Sequence, residues 1–254
     1  IGWRATGGAV WTWFPGGGRD STFSAFSASG ALAWSARFNE RTLERLEQAV
    51  AVEIVSTAAA PDDWRSAALG RVEHDVDGDG ALERDVPWLI TLRPDGSVVS
   101  EAALSVGSLP AGATSGALDV STDGELFVGL VADDLPRIAK VALDGTVRWV
   151  GAPASSAPDV PIVTIEIAAL EDGGAVAAAS RALTRYDANG AVVWRRRLPR
   201  PFVMGLAASG ERVGVLTRGV GLNPEFSSTV GLDVVDFAGE RLAETLWNVD
   251  VDVF

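Results

Sequence analysis

Cysteine is absent from the 254 residues, and histidine, lysine, tyrosine and methionine each occur once. The missing thiol excludes disulfides, zinc-thiolate sites, iron–sulfur clusters and thiol nucleophiles, but it does not settle the compartment, because secreted bacterial proteins often lack cysteine too. The lone histidine, His74, rules out multi-histidine metal centres and leaves any Ser-His-Asp triad dependent on one residue. No apolar run approaches 18 residues, so a transmembrane helix is not expected. Phosphate loops of the Walker or dinucleotide type are missing, since PGGGR at 15–19 lacks both the lysine and a following helix and reads as a turn. Positive charge is scarce as well: 21 Lys+Arg face 34 Asp+Glu, for a net charge of -13. The field of such a chain repels nucleic acid and anionic lipid headgroups, so neither a nucleic-acid partner nor direct membrane insertion is expected. The scarcity of lysine beside plentiful arginine is attributed to GC-rich codons. The chain opens on Ile1 without a basic segment and apolar run, so any secretory signal is expected to have been removed beforehand.

What the chain does have is repetition. RYDANGAVVWRRRL at 185–198 is echoed by AFSASGALAWSARF at 25–38, TLRPDGSVVSEAAL at 91–104, KVALDGTVRWVGAP at 140–153 and VVDFAGERLAETLW at 234–247. The anchor glycines are Gly30, Gly96, Gly145, Gly190 and Gly239, at intervals of 66, 49, 45 and 49 residues. A period of this size belongs to stacked units, each too small to bury its own apolar face. Asp95-Gly96, Asp144-Gly145 and Asn189-Gly190 suit two-residue type I′ hairpins. Four residues before each anchor stand Phe26, Leu92, Val141, Tyr186 and Val235, and seven before it Phe23, Leu89, Ile138, Leu183 and Leu232. An offset of three is not one face of a strand, so either the strand bulges or it is buried on both faces. After the turn, even offsets give Leu32, Val98, Val147 and Val192, then Trp34, Trp149 and Trp194, the alternation of a strand. The fifth repeat departs, with Arg241 and Ala243 at these offsets and Trp247 beyond them. A second hairpin precedes most anchors, at 3–14, 118–131, 167–180 and 205–218, which makes four strands per unit. Within 42–55 the first half fits a helix and the second a strand; the strand half is favoured as the inner part of the second unit.

Four-stranded units at this period are the signature of an all-β fold, the β-propeller, here with five blades. The outer hairpins resemble bacterial propeller repeats of the form D-x-x-G-x-x-x-W, which are similar in pattern to the tryptophan-docked blades of pyrroloquinoline-quinone-type propellers. The resemblance covers under a third of the chain. It implies that Trp34, Trp149 and Trp194 dock between adjacent blades, and it implies no quinone site, because the paired cysteines of many quinone enzymes are missing. A single domain over 1–254 is expected, with 248–254 free to close the ring beside the first blade.

The interval of 66 marks an insertion in the second blade, an acidic loop at about 58–86. It contains HDVDGDGALERD, in which Asp75, Asp77 and Asp79 alternate around a turn at Gly80, with Ala81 at the seventh place and Glu83 at the ninth. A hard cation takes six to eight oxygens, so the three aspartates, the Ala81 carbonyl and Glu83 form a candidate calcium set. The spacing resembles the short D-x-D-G-D-G calcium loops of integrin-like extracellular repeats, and that resemblance implies a structural Ca2+ and a secreted or cell-envelope protein. Val86, at the twelfth place, departs from the helix-loop-helix version.

Other chemistry is thin, and no catalytic residue is assigned. Asp119 and Glu166 fall on expected inner strands, near a central channel. The basic cluster Arg195, Arg196, Arg197 and Arg200 reads as an exposed blade edge protected by charge. The leading expectation is a non-enzymatic binding or scaffold module with a protein or glycan partner. The alternatives are a hydrolase or lactonase with a channel-bound metal, and a glycan-binding propeller using Trp11, Trp13 or Trp64.

Overall fold

A computed structural model of the chain describes residues 2–4, 7–13, 21–27, 29, 31–37, 49–59, 66–74, 84–93, 95–104, 114–121, 123–132, 135–151, 165–179, 181–220 and 227–250. All regular elements among them are strands, arranged as five four-stranded antiparallel sheets with strands in sequence order, here called blades 1 to 5. Blade 1 comprises β1 (Gly2–Arg4), β2 (Gly7–Trp13), β3 (Ser21–Ser27) and β4 (Leu32–Arg37), and blade 2 comprises β5 (Ala49–Ala59), β6 (Ser66–His74), β7 (Arg84–Leu92) and β8 (Val98–Ala103). Blade 3 comprises β9 (Thr114–Val120), β10 (Leu126–Ala132), β11 (Leu135–Val141) and β12 (Val147–Val150), and blade 4 comprises β13 (Ile165–Ala169), β14 (Ala175–Ala179), β15 (Ala182–Tyr186) and β16 (Val192–Arg197). Blade 5 comprises β17 (Phe202–Ser209), β18 (Arg212–Val220), β19 (Ser227–Asp236) and β20 (Arg241–Asp250). Among the described residues no helix is long and apolar enough to cross a membrane.

The hairpin tips differ from the expected two-residue turn. In the outer hairpin of blade 4, the Gly190 amide donates to Asp187 O at 3.0 Å and the Asp187 amide to Ala191 O at 2.9 Å. Three residues therefore form the loop: a turn closed by an i to i+3 bond, then a glycine at φ +85°. The same pair of bonds recurs at Gly96, Gly124, Gly145, Gly173 and Gly239. The aspartate before the glycine is explained by its side chain: Asp144 Oδ1 accepts the Thr146 amide and Asp95 Oδ1 the Ser97 amide, each at 2.9 Å.

Two features together account for the offset of three. The register slips between Arg185 and Tyr186, because Tyr186 pairs with Val192 and Arg185 with Trp194, leaving Val193 as an extra residue on β16. The bulge thus lies in the outer strand, and β15 runs on regularly, buried on both faces. Tyr186 packs backward against Phe127 and Ile138 of blade 3, whereas Leu183 packs forward against Val213, Val215 and Val235 of blade 5. In blade 3 the roles repeat, with Val141 facing blade 2 and Ile138 facing blade 4. Each such Leu or Ile, almost wholly buried, contributes roughly 1.5 to 3 kcal/mol by leaving water.

Side chains shrink where successive sheets come closest. The first strands β5, β9, β13 and β17 are neighbours in space, and β14, AVAAA, is buried throughout. A Cβ built on Gly116 of β9 falls 2.7 Å from Ile165 Cγ2 of β13, so only a residue without a side chain fits. Bulk goes to the outer strands, as Tyr186 and Trp149 show.

In blade 2 the strand half of 42–55 is realised as β5, beginning at Ala49, while 42–48 lie outside the described residues. Much of the span 58–86 is strand, with β6 and β7 paired from Ser66↔Leu92 to His74↔Arg84. The expected ring-closing tail is corrected in part: Asn248–Asp250 extend β20 and pair with Ser227–Thr229 of β19 in their own sheet.

Candidate functional site

Several described polar side chains bridge the seams between blades. Three indoles lie across the outer-hairpin glycine of the next blade. Trp34 covers Gly96, Trp149 covers Gly190 and Trp194 covers Gly239, with ring atoms 2.6, 2.7 and 3.0 Å from where a Cβ would stand. The Trp149 Nε1–H donates to Ala188 O at 3.0 Å, and that of Trp194 to Phe237 O at 2.8 Å; both carbonyls lie two residues before the glycine. Blade 2 has serine at this offset, and its Ser100 hydroxyl donates to Leu143 O at 2.6 Å, again two residues before a glycine. The sequence pattern showed the indoles but not that a hydroxyl could take over the bond.

A second position, five residues before the anchors Gly96, Gly145 and Gly190, also reaches forward. Thr91 bonds Leu143 O, Lys140 bonds Gly173 O and Arg185 bonds Phe237 O. Lys140, the one lysine, is buried between Asp123 and Glu125, 5.3 Å from the Phe127 ring centroid. Arg185 also pairs with Asp172 and lies over the Phe237 ring.

Of the arginine cluster, Arg195 and Arg197 stand exposed on the outer strand as expected and Arg196 is partly exposed, whereas Arg200 departs from the expected edge. Arg200 is buried and paired with Asp233 at 3.2 Å and Glu244 at 2.7 Å, and it bonds the Thr217 hydroxyl at 3.1 Å. Its guanidinium lies flat on Gly231, where a Cβ would come within 2.3 Å of Cζ. The hydrogen bond from Arg200, with Arg241 beside it, holds the Glu244 carboxyl below its ordinary range. Arg196 crosses to Glu240 of blade 5, Arg195 bonds Thr184, and only Arg195 and Arg197 of the four are exposed. Next to this network lies a cleft of about 460 Å³ between blades 4 and 5, lined by Arg181, Arg196, Arg197, Arg241 and Asp233 over an apolar floor that includes Leu198.

The two candidate channel acids separate. Asp119 is a clamp: its Oδ2 accepts the Ala169 amide of blade 4 at 2.7 Å and its Oδ1 the Val120 amide at 2.8 Å. Glu166, on β13, is half-buried, and desolvation pushes its carboxyl above the ordinary glutamate range. The structure does not bring the two together as an acid–base pair. The calcium set Asp75, Asp77, Asp79, Ala81 and Glu83 lies outside the described residues, as do Trp64 and the side chains of Trp11 and Trp13. Among the described residues no three His, Cys, Asp or Glu side chains form a metal-holding group.

No protein-family model matches the sequence, and no curated protein does either. Solved structures do match in fold. A protein of unknown function from Bacteroides caccae is 12% identical with a TM-score of 0.50, over 98% of this chain and 96% of that one. Sqt1 of Saccharomyces cerevisiae is 11% identical with a TM-score of 0.53, over 89% of this chain and 69% of that one. The Pan2 WD40 domain of Neurospora crassa is 10% identical with a TM-score of 0.54, over 96% of this chain but 65% of that one. The fold is a β-propeller. At these identities the likeness carries the propeller architecture and nothing about activity.

Proposed function

We propose that this propeller is a non-enzymatic binding or scaffold module of a bacterial envelope or secreted protein, with a structural calcium ion in the acidic loop. The observation that carries the reading is the use made of the described polar side chains. Asp119, Lys140, Arg185 and Arg200 each hold parts of the sheets together. The WD40 likeness fits a module that presents its surface to a partner protein. The calcium reading is supported by the sequence of 75–83, which carries three aspartates and a glutamate between the paired residues His74 and Arg84. There Asp75, Asp77, Asp79, the Ala81 carbonyl and Glu83 would hold the ion, which neutralises crowded carboxylates and orders the loop.

Two assays test this. Native mass spectrometry before and after a chelator is expected to show one calcium lost, with a fall in the unfolding temperature; an unchanged mass and midpoint under calcium-replete conditions overturn the ion. Chromogenic ester, lactone and phosphoester substrates are expected to show no turnover above buffer. Turnover abolished by Glu166→Gln would establish the hydrolase alternative instead.

A further inference from the structure

Blade 5 leaves open a face that blades 2 to 4 bury. Val213, Val215 and Val235 turn toward blade 4 and are buried, so alternation along β18 and β19 turns Leu216, Val230, Leu232 and Val234 to the opposite side. All four are partly exposed, and Trp247, opposite Val230 on β20, is 45% exposed. Seven residues before its anchor, Leu232 holds the place at which Leu89, Ile138 and Leu183 are 1%, 0% and 1% exposed. In ring order the blade that follows is blade 1, and Phe26 stands in its sequence where Tyr186 stands in blade 4.

The two positions that reach forward elsewhere carry no donor in blade 5. Five residues before the anchor, Val234 replaces Thr91, Lys140 and Arg185, and four residues after it Ala243 replaces Ser100, Trp149 and Trp194. Blade 1 in turn holds blade 2 by Trp34 over Gly96. Nor is a strand exchanged between the first and last sheets, because blades 1 and 5 are each built from four consecutive strands. We propose that blade 1 covers this face of blade 5 by apolar contact alone, and that the ring opens reversibly at this seam while the other four stay closed. Apolar contact is non-directional, and without a bond to a carbonyl or a docked ring the two sheets have little to hold them in register. Local opening takes the least stabilised contacts of a fold first, and here it bares an apolar face running from Leu216 to Trp247.

The chain has no cysteine, so one introduced thiol reports one place. Val230→Cys and Val215→Cys make the same nearly isosteric change on opposite faces of blade 5, Val215 being wholly buried against blade 4. Maleimide labelling in native buffer is expected to be at least tenfold faster at Val230→Cys than at Val215→Cys, yet at least tenfold slower than for Val230→Cys in urea. Adding Ala243→Trp places an indole at the latching offset, opposite Val234 rather than Val230. It is expected to slow labelling of Val230→Cys several-fold and to leave Val215→Cys unchanged, with neither rate depending on protein concentration. Labelling of Val230→Cys as slow as Val215→Cys would mean a closed seam, and labelling as fast as in urea a face that blade 1 never covers; either overturns the proposal. So does the absence of an effect of Ala243→Trp, or labelling that slows as the protein is concentrated, which would mean that a second copy covers the face.

Discussion

The inner hairpins of blades 3 and 4 and the outer hairpins of blades 2 to 5 are closed by the same turn, yet they meet different surroundings. At Gly124, in the inner hairpin of blade 3, φ is +82° and nothing lies within 4 Å of a built Cβ. At Gly190, in the outer hairpin of blade 4, φ is +85° and the Trp149 ring stands 2.7 Å from the same point. Local backbone geometry accounts for the first glycine completely. The second is required twice, by the turn and by the indole of the preceding blade. The Asp-Gly pair is thus a local signal at Gly124 and a long-range one at those outer tips where an indole of the preceding blade covers the glycine; at the inner tip of blade 4 the join is instead the bond from Lys140 to Gly173 O.

Removing the docked ring should break this contrast most severely. Trp149→Ala deletes the contact with Gly190, the bond to Ala188 O and the packing against Phe127 and Tyr186. Urea denaturation is expected to show a loss of about 3 to 5 kcal/mol. Ser100→Ala sharpens the comparison, since it removes only the bond to Leu143 O and leaves no large cavity. Its expected loss is about 1 kcal/mol, and a loss as large as that of Trp149→Ala would contradict the equivalence of the two positions.

Carboxylates give the smallest contrast, read as pH dependence. Hairpin Asp144 is held below its ordinary range by the Thr146 amide and hydroxyl, whereas Glu166 on the inner strand is raised by burial. A raised carboxyl means that the folded state keeps its proton longer than the unfolded chain does. Below the unfolded value both states are protonated and there is no cost; as pH rises through the folded value the cost of the buried charge appears. Glu166→Gln is therefore expected to raise the unfolding midpoint at neutral pH and to leave it unchanged in acid.

Much of the architecture could be read from the chain because a propeller repeats its signals. The four strands per unit and the positions of the hairpins follow from spacing that recurs, and the docking of Trp34, Trp149 and Trp194 is what the resemblance to tryptophan-docked blades implies. The turn type was missed, since Asp-Gly suits both a two-residue loop and a turn followed by a left-handed glycine, and only the bond from Gly190 to Asp187 O separates them. One arginine of the cluster departs because sequence shows charge but not depth: Arg200, three residues beyond β16, is buried and paired within blade 5, whereas Arg195 and Arg197 are exposed as expected. The cleft itself is assembled from β15, β16, β19 and β20, whose residues stand about sixty positions apart at the extremes. The acidic loop remains the reverse case, a strong local signal whose ion rests on spacing.

The central claim is that outer hairpins lock adjacent blades together, and one paired measurement tests it directly. Gly124→Ala and Gly190→Ala place the same methyl group at nearly the same φ, so chemical denaturation of the two variants subtracts the turn and leaves the seam. Gly124→Ala is expected to lose about 1 kcal/mol, the cost of a side chain in the left-handed region. Gly190→Ala is expected to lose about 2 to 4 kcal/mol, because the methyl also displaces Trp149. Equal losses in the two variants would mean that the indole contributes nothing at the hairpin and would contradict the account.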